Sequence, residues 1–83
     1  MKNYWLYRKQ KRLITKELNI ILKKFEGRPL NPVDALYSAM KKEVAKYFII
    51  NKTKLKYLDN HFDYNIEVEE KGNKVYKVNF EFT

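Results

Sequence analysis

Eighty-three residues with 45% apolar and 16% aromatic side chains exclude an intrinsically disordered chain and leave no room for a second hydrophobic core. The absence of cysteine excludes disulfide bonds, a thiolate nucleophile and a cysteine-ligated zinc site. The net charge of +8 is unevenly divided: residues 1–56 hold 15 of the 18 Lys/Arg and only four acidic residues, whereas residues 57–83 hold three Lys and six acidic residues. Such a concentration of positive charge predicts an anionic partner.

The first predicted element is an amphipathic helix from about Arg8, or earlier, to Glu26. Gly27 would supply a left-handed stop, and Pro29 would prevent the helix from continuing. The apolar positions recur at helical spacing, and Leu13 is expected to widen their stripe. The stripe consists of Ile14, Leu18, Ile21, Leu22 and Phe25.

A second helix is predicted from Asn31 to about Phe48. The Asn31 side chain would cap it, and Pro32 would occupy the first helical position. Asp34 would lie in the first turn, where the positive end of the helix dipole stabilises a negative side chain. The short connection between the two helices predicts a helical hairpin. The apolar positions of the second helix are Val33, Leu36, Tyr37, Met40, Val44, Tyr47 and Phe48.

The end of the chain alternates apolar and polar residues on both sides of Gly72-Asn73, which predicts a β-hairpin with one buried face. A three-residue loop over 71–73, with Asn73 left-handed, would bring apolar residues opposite one another, and a bulge would achieve the same shift. The expected pairs are Val68 with Tyr76, Ile66 with Val78, and Tyr64 with Phe80.

Residues 51–62 allow two interpretations. Asn51 could cap a short third helix, or Thr53, Leu55 and Tyr57 could alternate with lysines in an edge strand. With a third helix, the order helix–helix–helix–hairpin resembles a winged-helix domain. That resemblance implies a third helix that enters the major groove of DNA. Its contacts would come from Lys52, Thr53, Lys54 and Lys56. The predicted fold is therefore one α+β domain over residues 1–83, which resembles a winged-helix domain if residues 51–62 form a helix.

A row of cations marks the first helix as a candidate binding surface. Arg8, Arg12 and Lys16 recur every four residues, away from the apolar stripe, and such a row can follow a phosphate backbone. Aromatic side chains next to cations suit stacking on unpaired bases. The alternative interpretation is a solvated face beside aromatic residues that cover the core. The neighbouring cations are Lys9, Lys11 and Lys23, and the aromatic residues just before the row are Tyr4, Trp5 and Tyr7.

Other kinds of chemistry have weaker sequence support. Asp59, His61 and Asp63 could face one way on an extended chain, but polar loops are commonly rich in such residues, so no metal or other cofactor is expected. No motif for a nucleophile or a phosphate-binding loop surrounds Ser38, so the chain is not expected to be an enzyme. The first residues do not resemble a signal peptide and the apolar runs are short, which predicts a cytoplasmic protein without a membrane partner.

Two functional hypotheses remain. In the first, the chain is a small non-enzymatic protein that binds duplex or single-stranded nucleic acid through the basic face of its first helix. In the second, it is a regulator or inhibitor that docks the same basic face on an acidic protein. Because a chain of this length buries a modest fraction of its surface, pairing with a second copy would add stability under either hypothesis.

Overall fold

A computed structural model describes the backbone of residues 2–51 and 63–83, with side chains described from Arg8 onward. Helix α1 spans Lys2–Leu22 and continues as a short 3-10 turn, Lys23–Phe25; helix α2 spans Val33–Ile50. Strands β1, Tyr64–Lys71, and β2, Lys74–Phe82, form a two-stranded antiparallel sheet. The predicted α+β class is confirmed. The expected third helix or strand falls on residues 52–62, outside the described part of the chain, so the resemblance to winged helices stays a prediction.

Helix α1 buries the predicted stripe. The Ile14, Leu18 and Leu22 side chains have no exposed surface, and the 3-10 turn brings Phe25 into the same core. Gly27 follows with a positive φ of 84°, as the sequence predicts. The prediction for Leu13 is wrong, because this side chain is 54% exposed. One residue rotates a helix by about 100°, which carries Leu13 from the buried stripe to the solvent side.

Helix α2 begins differently from the sequence prediction. Pro32 occupies the N-cap position with an extended backbone, and its carbonyl accepts the N–H of Leu36 at 3.2 Å. Asn31 therefore lies one residue too early to be the predicted cap, and Val33 is the first helical residue. The Pro ring fixes only φ, at a value that both helical and extended residues share, so Pro32 fits either position.

Two side-chain contacts show that α1 and α2 are antiparallel, as expected for a helical hairpin. The Tyr47 hydroxyl donates a hydrogen bond to a carboxylate oxygen of Glu17. Lys24, about two turns further along α1, forms an ion pair with Glu43, which lies one turn earlier in α2. The hydrogen bond from Lys24 holds the pKa of Glu43 below its ordinary value.

The hairpin register differs from the predicted one. Gly72 and Asn73 form a two-residue turn, with φ of 60° and 62°, between the paired residues Lys71 and Lys74. A bulge at Glu69/Glu70 then shifts the register, so the three-residue loop is wrong, whereas the left-handed Asn73 is confirmed. Positive φ at both positions is what a tight hairpin turn requires, and no third loop residue is needed. The observed pairs are Val68 with Val78, Ile66 with Phe80, and Tyr64 with Phe82.

The bulge also decides which side chain near the turn enters the core. Val75 is 2% exposed and Tyr76 is 50% exposed, the reverse of the sequence expectation. An extra residue in one strand reverses the alternation of faces on either side of it. Val75 therefore shares the inner face with Val78 and Phe80, and the apolar side chains still meet across the hairpin.

The outer edge of β2 is closed by backbone and by a side chain. Val75 exchanges hydrogen bonds with the segment between the helices: the Gly27 N–H donates to the Val75 carbonyl at 2.7 Å, and the Val75 N–H donates to the Arg28 carbonyl at 2.9 Å. Further along, the Asn19 amide donates to the Phe80 carbonyl at 3.2 Å and accepts the Phe80 N–H at 2.7 Å. These contacts satisfy polar groups that an unpaired strand edge would expose.

The core lies between the inner face of the sheet and the two helices. It draws on every described helix and strand and contains no buried charged residue among those described. Its buried members are Ile14, Leu18, Leu22, Phe25, Leu36, Met40, Val44, Tyr47, Ile66, Val75, Val78 and Phe80.

We expect Asn19→Ala to lower the free energy of unfolding by about 2 kcal/mol, because it leaves the buried N–H and C=O of Phe80 without their side-chain partner. Urea denaturation followed by circular dichroism measures the change. Asn79→Ala is the matched control, since Asn79 lies on the exposed face of the same strand. Equal loss in the two variants would show that the Asn19 contacts contribute nothing specific.

Burial and the Glu17 carboxylate raise the pKa of Tyr47 above its ordinary value of 10.0. The unfolded chain therefore loses the Tyr47 proton at lower pH than the folded chain does. We expect this group's contribution to stability to be complete below pH 10 and to fall as the pH rises further. Urea denaturation between pH 8 and 11 should show that the free energy of unfolding falls less steeply with pH for Tyr47→Phe than for the wild type. Tyr76→Phe, at an exposed position on β2, should keep the wild-type slope.

Candidate nucleic-acid interface

Helix α1 carries the predicted row of cations on its solvent side. Arg8, Arg12 and Lys16 are all exposed, and a rise of 1.5 Å per residue places successive members about 6 Å apart along the helix axis. Among the residues that the structure describes, no acidic side chain forms an ion pair with any of these three. We call these three residues the basic row.

The cations next to the row have different surroundings. Lys9 and Lys23 are exposed, but Lys11 is half-buried and turns towards the sheet. Its ammonium nitrogen lies 5.1 Å from the centre of the Phe82 ring, within the range of a cation–π contact. Lys11 therefore joins the helix to the end of β2 and lies apart from the basic row.

A second row on α1 faces the edge of β2. It consists of Lys11, Thr15 and Asn19, again four residues apart. The Thr15 hydroxyl donates to the Lys11 carbonyl at 2.8 Å, and the Asn19 amide donates to the Thr15 carbonyl at 2.9 Å as well as to Phe80. The contacts of Asn19 with Phe80 and of Lys11 with Phe82 fix the rotation of α1, which in turn sets where the basic row points.

A shallow groove runs between these two rows and the last residues of β2. We call it the α1–β2 groove; it is lined by Lys11, Arg12, Thr15, Lys16, Glu81 and Phe82. It therefore brings two members of the basic row together with Phe82, whose ring lies on the core side of β2, and with Glu81, whose side chain points to the opposite face.

The Phe82 ring is positioned by its neighbours on the sheet. It meets the buried Phe80 ring edge to face, with centres 5.2 Å apart, and Phe80 in turn stacks on Tyr64 at 5.3 Å. The N–H of Thr83 donates to the Asp63 carbonyl at 3.0 Å, which ties the end of β2 to the start of β1. The ring is only partly buried, so one part of it remains at the surface of the groove.

The sheet turns an acidic face to solvent. Glu67, Glu69 and Glu81 are exposed on the side opposite the core, and Lys77 lies across from Glu69. Helix α2 adds further exposed cations on its outer side, Lys41, Lys42 and Lys46. The folded chain thus keeps basic helices and an acidic sheet face on separate surfaces.

Several residues that the sequence singled out lie beyond what the structure describes. Tyr4, Trp5 and Tyr7 belong to the first turns of α1, but their side chains are outside the described part. Lys52, Lys54 and Lys56, and the second basic surface expected there, fall in the gap between residues 51 and 63. Asn51, the expected cap of a third helix, caps the end of α2, where its amide donates to the Tyr47 carbonyl at 2.8 Å.

Among the groove residues, Arg12 and Lys16 were candidates from the sequence, whereas Thr15, Glu81 and Phe82 were not. Phe82 continues an alternating apolar strand and was therefore expected in the core, and Glu81 was expected on a solvated face. The position of Phe82 at the end of the predicted strand did indicate partial exposure, because less of the core remains there to cover a side chain. Nothing in the spacing of Thr15 predicts that it faces the sheet edge.

Within residues 2–51 and 63–83, no group of three or more His, Cys, Asp or Glu side chains is placed to hold a metal ion. Asp63 is exposed, and Asp59 and His61 lie in the undescribed gap. Neither described helix is long and apolar enough to cross a membrane.

Comparisons with protein families, curated proteins and solved structures found no match to this chain.

Proposed function

We propose that this chain is a small non-enzymatic protein that binds nucleic acid through the basic row of α1. The observation that carries the proposal is the exposure of Arg8, Arg12 and Lys16 in one row, with no ion-pair partner among the described acidic residues. An arginine guanidinium can hold a phosphate through two parallel hydrogen bonds, and each phosphate neutralised by the protein releases condensed counterions. Binding of this kind needs no catalytic residue.

Packing of α1 against the core and the sheet holds its cations in a fixed arrangement, so that they form one surface. Ile14 and Leu18, on the opposite side of the helix, are fully buried, and Asn19 bonds the helix to β2. The core therefore holds the backbone beneath Arg12 and Lys16, and on binding it is the side chains of these two residues that have to be ordered. A preorganised surface loses less conformational entropy when it binds.

The distribution of charge supports an orientation for the ligand. A phosphate backbone on the basic row would be attracted by α1 and repelled by the acidic sheet face that carries Glu67 and Glu69. The ligand is thus expected to follow α1 and to stay off the outer face of the sheet. The same charges would also attract an acidic protein, which makes the second functional hypothesis an outcome of the test.

We expect Arg8→Glu with Arg12→Glu to weaken nucleic-acid binding by at least tenfold, because two phosphate contacts are replaced by repulsion. Fluorescence anisotropy with labelled duplex DNA, single-stranded DNA and RNA measures the affinity. The matched control is Lys41→Glu with Lys42→Glu, which makes the same change in net charge on the outer side of α2. Equal weakening in both double variants would show attraction by overall charge and would contradict a binding surface on α1.

For the wild type, the logarithm of the binding constant should fall linearly with the logarithm of the salt concentration. A slope of about −3 corresponds to four phosphate contacts on a single strand, which Arg8, Lys9, Arg12 and Lys16 could supply. Anisotropy titrations over a salt series measure this slope. Absence of binding to all three nucleic acids near physiological salt would overturn the proposal and favour an acidic protein as the partner.

A further inference from the structure

The α1–β2 groove combines side chains that recognise different parts of a nucleotide. Helix α1 contributes Arg12 and Lys16, and the end of β2 contributes the partly exposed Phe82, whose ring lies on the core side of the strand. Cations suit phosphates, and aromatic rings suit unpaired bases. The groove opens directly onto the basic row, since Arg12 and Lys16 belong to both.

We infer that this groove receives one unpaired base of a single-stranded nucleic acid, which stacks on Phe82 while the neighbouring phosphates contact Arg12 and Lys16. The inference rests on the nucleic-acid binding proposed above and narrows the ligand from nucleic acid in general to single strands.

The contact between Lys11 and Phe82 shows that a flexible group can reach the face of the ring. The Lys11 ammonium lies 5.1 Å from the ring centre, on the side of α1. A base entering the groove would take the place of this ammonium, and the displaced lysine could then pair with a phosphate. Phe80 and the tie between Thr83 and Asp63 hold the ring in place during the exchange.

Two features favour a single strand over a duplex. Bases in a duplex are stacked on their neighbours, so their faces are closed to a protein ring, whereas unpaired bases offer both faces. A duplex would also carry a second phosphate strand, and the acidic face with Glu67 and Glu69 adjoins the groove residue Glu81 on the same sheet surface. A single strand can follow the groove and avoid that surface.

The test uses three fluorescein-labelled ligands. Two are single strands of twelve nucleotides, an oligo(dT) and the same strand with one central dG, and the third is a duplex of equal length. Stacking on an aromatic side chain predicts a loss of roughly tenfold in single-strand affinity for Phe82→Leu, with duplex affinity unchanged. Phe82→Tyr keeps the ring and should restore binding. Tyr76→Leu removes an exposed aromatic residue outside the groove and should bind like the wild type. Thermal denaturation of every variant separates loss of folding from loss of the ring.

The outcomes separate this inference from the proposed function. If the wild type binds none of the three ligands, nucleic-acid binding itself fails. If the wild type binds single strands and folded Phe82→Leu binds them equally well, the proposed function stands and the base site in the groove is overturned. If binding is as tight to the duplex as to single strands, the preference for unpaired bases is overturned.

Discussion

The Asn19 side chain holds α1 against the edge of β2 by pairing with both backbone groups of Phe80. A side-chain amide presents one donor and one acceptor in nearly the geometry of a neighbouring strand, so it can close a sheet edge where no strand is available. The contact fixes the rotation of α1 relative to the sheet. The direction of the basic row, the position of Lys11 over Phe82 and the width of the groove all depend on that rotation.

Two parts of the chain close the free edge of β2. The backbone between the helices pairs with the first half of the strand, at Val75, and the Asn19 side chain pairs with the second half, at Phe80. The segment between the helices pairs with Val75 like a short third strand, and it can do so because Gly27 adopts a positive φ that turns the chain back along the sheet. Helix α1 covers the rest of the edge. The two-stranded sheet is thus enclosed on one edge by elements that come earlier in the chain, which explains how so small a sheet can carry one face of the core.

The sequence allowed the fold class, both helices and the existence of the hairpin to be predicted, because burial of one face imposes a period that can be read along the chain. It did not allow the hairpin register to be predicted, since three-residue loops and bulges both bring apolar side chains together, and only the backbone at Gly72 and Asn73 decides between them. The basic row was predictable because solvent exposure follows from the same period. The groove was not, because it forms through the packing of α1 on β2, and Thr15 lies more than 60 residues before Glu81 and Phe82 in the sequence.

The neutral side chains on α1 have an electrostatic consequence for the basic row. If Thr15 and Asn19 were basic, the row facing β2 would lie beside Glu81, and cation and carboxylate would neutralise each other within the protein. The neutral Asn19 amide holds the helix to the strand without consuming charge, and the Thr15 hydroxyl bonds within the helix. Arg12 and Lys16 stand in the same groove as Glu81 without forming an ion pair with it, so their hydrogen-bond donors remain available to an anionic ligand. Attachment through neutral hydrogen bonds therefore lets one helix pack on an acidic sheet and still present a cationic surface.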